Sequence, residues 1–494
     1  MGHMRIVARK IFGRWRRRSD ENRQQADPNT TATAQSINNS APQQSPISRL
    51  SDDLLDAIVS QFCCRRFDLH SRRPLVREYC KCHADPYSTL RDLCLLNKRI
   101  YLITVPHLYE APTLDKWWLL ARTLLARPDL AEHVRCFRKC YQLKSAALGI
   151  EASIESGTFP REVGEYYLKN RFGDASSEKV LPDFTDPVSR SEWFYSVGSD
   201  ILLSLCPKVK AVAAFVANYG AIFSCCRPGS LHNLGFLEVI CFSKLRRGQP
   251  ALDPIFIRLS SVAPSLNQLR ISTCVSDFDQ PDWTRPESHL FPSLPFTQLH
   301  TLSLQCVTPL QIPLLVLLRS CPQLKVFSFS SPEECGMLPS GYVDFSHRTL
   351  GQMLVQYTPW LEELSLQLGS VTYADSNPEE QRITSLAALT NLQKLEIDIH
   401  SLVTTSPGLS DSLLLVKLLP RSIRVLTIDA CFPTHVRISQ IEDALQVLAS
   451  SAPHTFQQLE EVHLEGLRTE ELGYLESAFK KSGIRLHTIG TSRQ

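Results

Sequence analysis

The 494-residue sequence lacks any apolar run long enough to cross a membrane. Its longest apolar stretches, such as "IPLLVLL" at 312–318, fall far short of the ~18 residues that a membrane-spanning helix requires. The first residues are basic, but no apolar segment follows the arginines, so we expect no secretory signal. These absences predict a protein that has no membrane partner.

The sequence also lacks a strong imbalance of charge. It holds 53 Lys and Arg residues against 50 Asp and Glu residues, a formal net charge of +3. A chain so close to neutral does not bind polyanions with its whole surface, so we expect no nucleic-acid partner. Hydrophobic residues make up 43% of the chain, which is enough for a sizeable buried core in two or three domains or in one extended repeat array.

Common catalytic and nucleotide-binding motifs are missing as well. The chain contains no G-x-x-x-x-G-K-[ST] phosphate loop, no H-E-x-x-H pair and no G-x-S-x-G elbow. Its 16 cysteines show no disulfide framework, which favours reduced thiols and a cytoplasmic or nuclear location. Cys206, Cys321 and Cys431, near predicted helix–strand junctions, are typical of small buried hydrophobes. We therefore predict a recognition protein without an active site and without a cofactor.

Residues 1–45 predict a disordered basic and polar tail. The segment 5–18 reads "RIVARKIFGRWRRR", and residues 19–44 are rich in Gln, Asn, Thr, Ala and Ser without apolar periodicity. Such a composition cannot bury enough surface to offset the entropy lost on ordering. A nuclear-import signal or a patch that contacts nucleic acid or membrane is the alternative interpretation of the arginines.

Two apolar blocks with helical spacing predict a small helical module at 46–112. The first is "ISRLSDDLLDAIVSQF" at 47–62, where Ser51 and the two aspartates after it are typical of a helix start. The second, "STLRDLCLLNKRIYLITVPHLYEAPTL", begins at Ser88, and we expect Pro106 to end its helical run.

These two blocks resemble an F-box, particularly the variant at the head of fungal repeat proteins. The chain departs from that family at Leu50-Ser51, where many F-boxes have Leu-Pro, and in the insertion between the blocks. Membership would imply docking on the Skp-type adaptor of a cullin–RING ubiquitin ligase. The docking residues that the resemblance implies are Ile47, Leu50, Leu54, Leu55, Ile58, Leu93 and Leu96. The alternative is that they form the core of a helical cap on a larger domain.

The insertion at 63–87 is rich in cysteine, histidine and arginine. Six of its side chains could supply ligands to zinc: Cys63, Cys64, His70, Cys80, Cys82 and His83. Their C-C and C-x-C-H spacing is not that of C-x-x-C zinc knuckles, and six basic residues indicate a solvated run. We therefore expect an exposed basic loop and no metal site, with a structural zinc as the alternative.

A repeated frame fills residues 201–494. "APSLNQLRI" at 263, "CPQLKVFSF" at 321 and "TPWLEELSL" at 358 each place x-L-x-x-L-x-L after a proline. Nine copies, five of them looser and without the proline at that place, have their first apolar residue at 209, 234, 266, 299, 324, 361, 392, 423 and 459. The alternation predicts a strand with one buried face, and the proline ends the helix that precedes it.

Strand and helix at this period resemble leucine-rich repeats. The resemblance implies an α/β solenoid, an irregular horseshoe with insertions around 331–346 and 369–380. Residues 113–200 predict a divergent first repeat and an inserted helix. One globular α/β sheet is the alternative, but such a sheet does not require nine similar strands at near-regular steps.

Side chains between the buried leucines are expected to lie on the concave face. The predicted partner-binding residues on that face are Phe215, Phe236, Glu363, Glu396, Asp398, Asp429, Glu461 and Glu465. Their six acids, with Lys394 as the one base in the same strands, predict an acidic ladder that selects a basic partner segment, while the early apolar strands bind a hydrophobic anchor. The alternative is ordinary solvated strand surface.

Three classes of function follow from these features. The leading one is a substrate receptor of a ubiquitin ligase, in which the repeats bind a protein substrate and the chemistry belongs to the ligase. The second is a leucine-rich scaffold or regulator without a ligase link, such as a GTPase-activating horseshoe. The third is an enzyme with an unrecognised site, which the missing motifs disfavour.

Overall fold

The computed structural model describes fourteen stretches of the chain: 49–62, 86–112, 117–137, 160–172, 197–216, 223–241, 253–273, 296–305, 311–330, 346–368, 382–402, 411–430, 439–466 and 473–489. The chain divides into two compact units, Met1–Pro112 and Thr113–Gln494. Ile47, the basic tail, all six zinc-ligand candidates of the insertion and nearly all of the two predicted repeat insertions lie outside the described residues.

Three helices form the described part of the first unit: α1 (Asp52–Ser60), α2 (Pro86–Cys94) and α3 (Lys98–Glu110). Ser51 caps α1 as predicted, because its hydroxyl accepts the N–H of Leu54 at 3.4 Å. The second apolar block is two helices rather than one, since Asn97 accepts the N–H of Ile100 at 2.9 Å and starts α3 there. An asparagine that caps a helix inside an apolar run therefore marks the point at which the run divides into two helices.

Pro106 does not end the helical run, so that prediction was wrong. The proline lies inside α3, and Thr104, Val105 and His107 around it are buried. An internal proline removes one helical hydrogen bond and costs roughly 3 kcal/mol. Burial of the side chains on both sides of Pro106 offsets that cost, so the helix continues to Glu110.

The three helices share one small core. Its buried members are Val59 of α1, Leu90 and Leu93 of α2, and Ile100 of α3. Partly buried hydrophobic residues surround them: Phe62, Leu96, Ile103 and Leu108. The apolar stripes at helical spacing therefore meet in one cluster, as their periodicity requires.

Polar contacts join α3 to α1. The guanidinium of Arg99 lies 2.7 Å from Asp52 and donates to the carbonyl of Leu50, at the start of α1. Farther along, Nε2 of His107 lies 2.7 Å from Oδ1 of Asp56, and its Nδ1 lies 3.7 Å from Glu110. These contacts join about one turn of α1 to about two turns of α3.

The second unit is built on one open, 11-stranded sheet. Its strands, all parallel to their neighbours, follow chain order. They are β1 (Cys136–Phe137), β2 (Ala211–Val216), β3 (Phe236–Cys241), β4 (Gln268–Thr273), β5 (Thr301–Gln305), β6 (Val326–Ser330), β7 (Glu363–Gln367), β8 (Lys394–Asp398), β9 (Val425–Asp429), β10 (Glu461–Glu465) and β11 (Arg485–Ile489). The nine strands expected from the repeated frame are β2 to β10, which confirms the frame.

Helices lie between many of the strands, so the unit belongs to the α/β class. They are α4 (Trp117–Ala126), α5 (Pro128–Ala131), α6 (Arg161–Phe172), α7 (Asp253–Val262), α8 (Gln311–Arg319), α9 (His347–Tyr357), α10 (Leu414–Leu418), α11 (Ser439–Thr455) and α12 (Gly473–Lys481). Residues 197–205 are also helical, and a 3-10 turn covers Ile399–Ser401. The helix expected ahead of the proline is present in α8 and α9, and α6 is the inserted helix expected within 113–200.

One backbone contact recurs at the head of most strands. The carbonyl of Lys325 accepts the N–H groups of Glu362 and Glu363, and the carbonyl of Glu362 accepts those of Gln393 and Lys394. Within β2 to β10, the described apolar residues at the alternate positions that include Leu364 are no more than 2% exposed. The backbone hydrogen bonds therefore fix the register of neighbouring strands, and burial of the apolar side chains fixes which face of each strand lies against the core.

We expect the unfolding free energy of the first unit to depend on the protonation of His107. The carboxylates of Glu110 and Asp56 raise the pKa of His107, against burial, which lowers it. The stabilisation that protonated His107 contributes to the folded unit is complete below the ordinary histidine pKa of about 6.5. It is lost as pH rises through the higher pKa of His107 in the folded chain.

His107→Gln should therefore destabilise the chain more at about pH 6 than at about pH 8.5. Urea denaturation followed by circular dichroism at both values measures this difference. His454→Gln, at an exposed histidine of α11, is the control. An equal loss at both pH values for His107→Gln would contradict the assignment.

Candidate partner-binding surfaces

Exposed large apolar side chains are concentrated on the helical unit. Within the described residues, four of the seven such side chains lie there: Leu54 (55% exposed), Leu95 (80%), Tyr101 (37%) and Leu102 (62%). We call these four the apolar set. Single exposed leucines are common on proteins, but four within so short a stretch of chain are typical of an interaction surface.

Two members of the apolar set lie on neighbouring parts of α1 and α3. Leu102 follows Arg99 by one helical turn, and residues three apart in a helix lie on one side. Arg99 itself contacts Asp52 and the carbonyl of Leu50, one turn before Leu54. A partner that contacts Leu54 and Leu102 would therefore meet the Arg99–Asp52 ion pair at the border of that contact.

The described adaptor-binding candidates divide into three groups. Leu54 is exposed, while Leu50, Ile58 and Leu96 are half-buried. Leu55 and Leu93 are only 6% and 4% exposed, and Leu93 belongs to the core of the helical unit. We therefore correct these two to core residues, because the stripe that contains them packs inward. Leu95, Tyr101 and Leu102 were missed, although apolar residues that fall off a helical stripe were an available signal.

The register brings the late acidic side chains onto one face of the sheet. Across neighbouring strands, Glu363 pairs with Lys394, and Asp429 pairs with Glu465. We call Glu363, Glu396, Asp429, Glu461 and Glu465 the acidic face. All but Asp429 are half-buried, and Asp429 is 9% exposed. Alternate residues of parallel strands thus bring together acids that are distant in sequence.

Asp398 has a structural role instead of a partner-binding one. It is 1% exposed, and its carboxylate accepts the N–H of Ser401 at 2.7 Å and the N–H of Leu368. The first contact caps the 3-10 turn, and the second ties the end of β7 to β8. We remove Asp398 from the predicted binding residues, because its carboxylate is buried and bonded to the backbone.

Negative charge accumulates around Glu465. Burial raises the pKa of Glu465, and the nearby carboxylates of Asp429 and Glu396 raise it further. Crowded carboxylates favour the approach of a cation or of a protonated side chain, because either relieves their repulsion.

A base that the sequence did not reveal changes the charge balance at the sheet edge. Nη2 of Arg485 in β11 lies 2.5 Å from Oε1 of Glu461. A hydrogen bond with His463 lowers the pKa of Glu461, and the charge of Arg485 lowers it further. Glu461 is therefore already paired with Arg485 and His463 at the edge of the acidic face.

One of the two residues expected to form the hydrophobic anchor site is not available to a partner. Phe236 is 4% exposed, so the chain itself covers this side chain, and that prediction is corrected. Phe215 lies in β2, in register with Ile240, but its side chain is outside the described residues. Beside Phe236 in sequence, Glu238 is fully buried, with Oε1 3.6 Å from Nη1 of Arg270.

The fold and the surfaces define an α/β protein with an open parallel sheet and a separate helical unit. No protein-family model matches the chain, and no curated protein sequence matches it. None of the helices in the described part of the chain combines the length and the apolar character needed to span a membrane.

The role of Asp398 can be measured as stability. Asp398→Ala leaves two buried N–H groups without their acceptor, and each such group costs about 1–3 kcal/mol. Asp398→Asn retains one acceptor oxygen and should lose less. Chemical denaturation of the full chain measures both, with Lys394→Ala on the same strand as a control that should change stability by under about 0.5 kcal/mol. A wild-type stability for Asp398→Ala would contradict the role.

Proposed function

We propose that this chain is the substrate-recognition subunit of a Skp–cullin–F-box ubiquitin ligase. In this proposal the helical unit docks on the Skp-type adaptor, and the sheet unit binds a protein substrate. The observation that carries the proposal is the concentration of exposed apolar side chains on the helical unit.

The helical unit supports the first half of the proposal. Its three helices share a core, so it can present a fixed surface to an adaptor. The exposed leucines of that surface lie in the two sequence blocks that resemble an F-box. A buried apolar centre with a charged border such as Arg99–Asp52 is the usual composition of a protein–protein interface.

The sheet unit supports the second half. We infer that its strands line an irregular leucine-rich-repeat solenoid, because every strand pairs only with its neighbours in chain order and the head contact recurs from repeat to repeat. A long row of parallel strands presents one extended face, which suits a peptide or protein ligand. The acidic face then selects a segment rich in lysine or arginine.

Buried cysteines agree with a receptor that performs no chemistry itself. Burial raises the pKa of Cys321 to about 12 and raises the pKa of Cys206 as well. A thiol must ionise to act as a nucleophile, so neither of these two can do so near neutral pH. The receptor contributes by positioning its substrate beside the ligase.

The first test is capture of the Skp-type adaptor by the purified full chain. Leu54→Asp and Leu102→Asp should each weaken capture, because a buried carboxylate would have to be desolvated at the interface. Both residues are exposed, so the variants keep the helical core. Leu55→Asp would be a poor choice, since Leu55 is buried and its loss would unfold the unit.

Leu413→Asp is the matched control, because Leu413 is 46% exposed and lies in the sheet unit. Capture by the wild type and by this control, with loss in the other two, would support the proposal. No capture by the wild type would refute the ligase link and favour the leucine-rich scaffold.

The second test concerns the acidic face. Glu396→Lys combined with Glu465→Lys should remove bound proteins that carry basic segments, because the charge of the site is reversed. Proteins that co-purify with the full chain are compared by quantitative mass spectrometry. Glu162→Lys combined with Glu476→Lys, an equal charge change at exposed positions of α6 and α12, is the control. An unchanged set of bound proteins would exclude the acidic face as the binding site.

A further inference from the structure

Two histidines face each other at the last strand pair of the sheet. His463 of β10 and His487 of β11 are direct register partners. Their rings stack with centroids 4.6 Å apart and an angle of 26° between the planes. Parallel strands place such partners on the same face at about 4.8 Å, so the backbone itself holds the two imidazoles together.

A carboxylate completes a set of three ligand groups. Oε2 of Glu461 lies 2.9 Å from Nε2 of His463, and Glu461, His463 and His487 each offer one ligand atom within 4.8 Å of the others. Ligand atoms around a tetrahedral zinc ion are about 3.4 Å apart, given metal–ligand bonds of about 2.0–2.2 Å. The widest spacing in the set therefore exceeds that of a tetrahedral site by at most about 1.4 Å.

The surroundings favour a cation at this place. Arg485 holds one oxygen of Glu461 and leaves the other directed at His463. Such a hydrogen bond orients a carboxylate ligand. On the same face, Glu465 follows His463 by two residues and lies opposite Asp429 in the register of β9 and β10, so two carboxylates add negative charge there. A metal ion would meet this negative potential beside its own ligands.

The ligand types indicate which ions fit. Two imidazoles and one carboxylate are preferred by zinc and related transition-metal ions, whereas magnesium and calcium require oxygen ligands. Within the described residues, this is the cluster whose three side chains place potential metal-ligand atoms within 4.8 Å of one another. His463 and Glu461 are 24% exposed, and His487 is exposed, so an ion can enter from solvent.

We propose that Glu461, His463 and His487 bind a divalent transition-metal ion of the zinc type, which clips β11 to β10. The ion takes the place of the proton between Nε2 of His463 and Oε2 of Glu461, and water fills the fourth position. The site is independent of the proposed ligase function, because it requires neither the adaptor nor a substrate.

Hydrogen exchange of the full chain, with and without zinc, tests the site at its location. Zinc should slow exchange in the peptide that covers β11, because the ion ties this edge strand to its neighbour. His463→Ala and His487→Ala should each remove the slowing and weaken zinc binding by more than about tenfold, since loss of a direct ligand costs more than loss of a group that only orients one.

Two controls make the result specific. His454→Ala removes an exposed histidine of α11 and should leave the slowing intact, and magnesium in place of zinc should produce none. Zinc bound by thiols elsewhere in the chain does not affect the outcome, because the measured peptide is that of β11. No slowing in the wild type, or slowing that persists in both histidine variants, would overturn the proposal.

Discussion

The sheet depends on one backbone contact that is repeated along it. At the head of successive strands, a single carbonyl oxygen accepts two consecutive N–H groups of the next strand. The carbonyls that do so belong to Arg135, Lys210, Gly235, Asn267, His300, Lys325, Glu362, Gln393 and Arg424. A carbonyl has two lone pairs, so one oxygen can satisfy both donors at the turn. Because the contact recurs at the same position, β2 to β10 each start in register with the strand before.

Because the register is constant along the sheet, residues at equivalent positions of successive strands lie next to one another on its surface. A residue two places along one strand lies beside the residue two places along the next, so rows of side chains cross the sheet. One such row joins Glu396, Thr427, His463 and His487. The crowded acids and the stacked histidines are both consequences of this geometry, although their residues are separated by tens of positions in sequence. A slip of one residue would turn each row to the opposite face.

The repeated frame was sufficient to predict β2 to β10, because the alternation of apolar residues that marks each strand is a local signal. β11 was missed because its residues opposite Val462 and Leu464 are Leu486 and Thr488, so the second apolar residue of the alternation is absent, and Arg485 and His487 were missed with it. Asp398 could not be assigned from the pattern, as its partners Leu368 and Ser401 donate backbone N–H groups from turns. Helical spacing placed an apolar stripe on each helix of the first unit, but the spacing does not say whether a stripe faces the core or a partner, and Leu93 lies in the core.

The size of the apolar set limits what it can do alone. Complete burial of one such side chain contributes roughly 1.5–3 kcal/mol, so four contribute at most about 6–12 kcal/mol, and less because each is partly covered already. Association of two proteins costs about 4–15 kcal/mol in lost freedom. A stable complex therefore needs a contact wider than the apolar set. Leu50 and Ile58, half-buried on and beside α1, are the nearest candidates to widen it. Their partial burial is what a docking surface requires, since residues at its border must serve both the helical core and the partner.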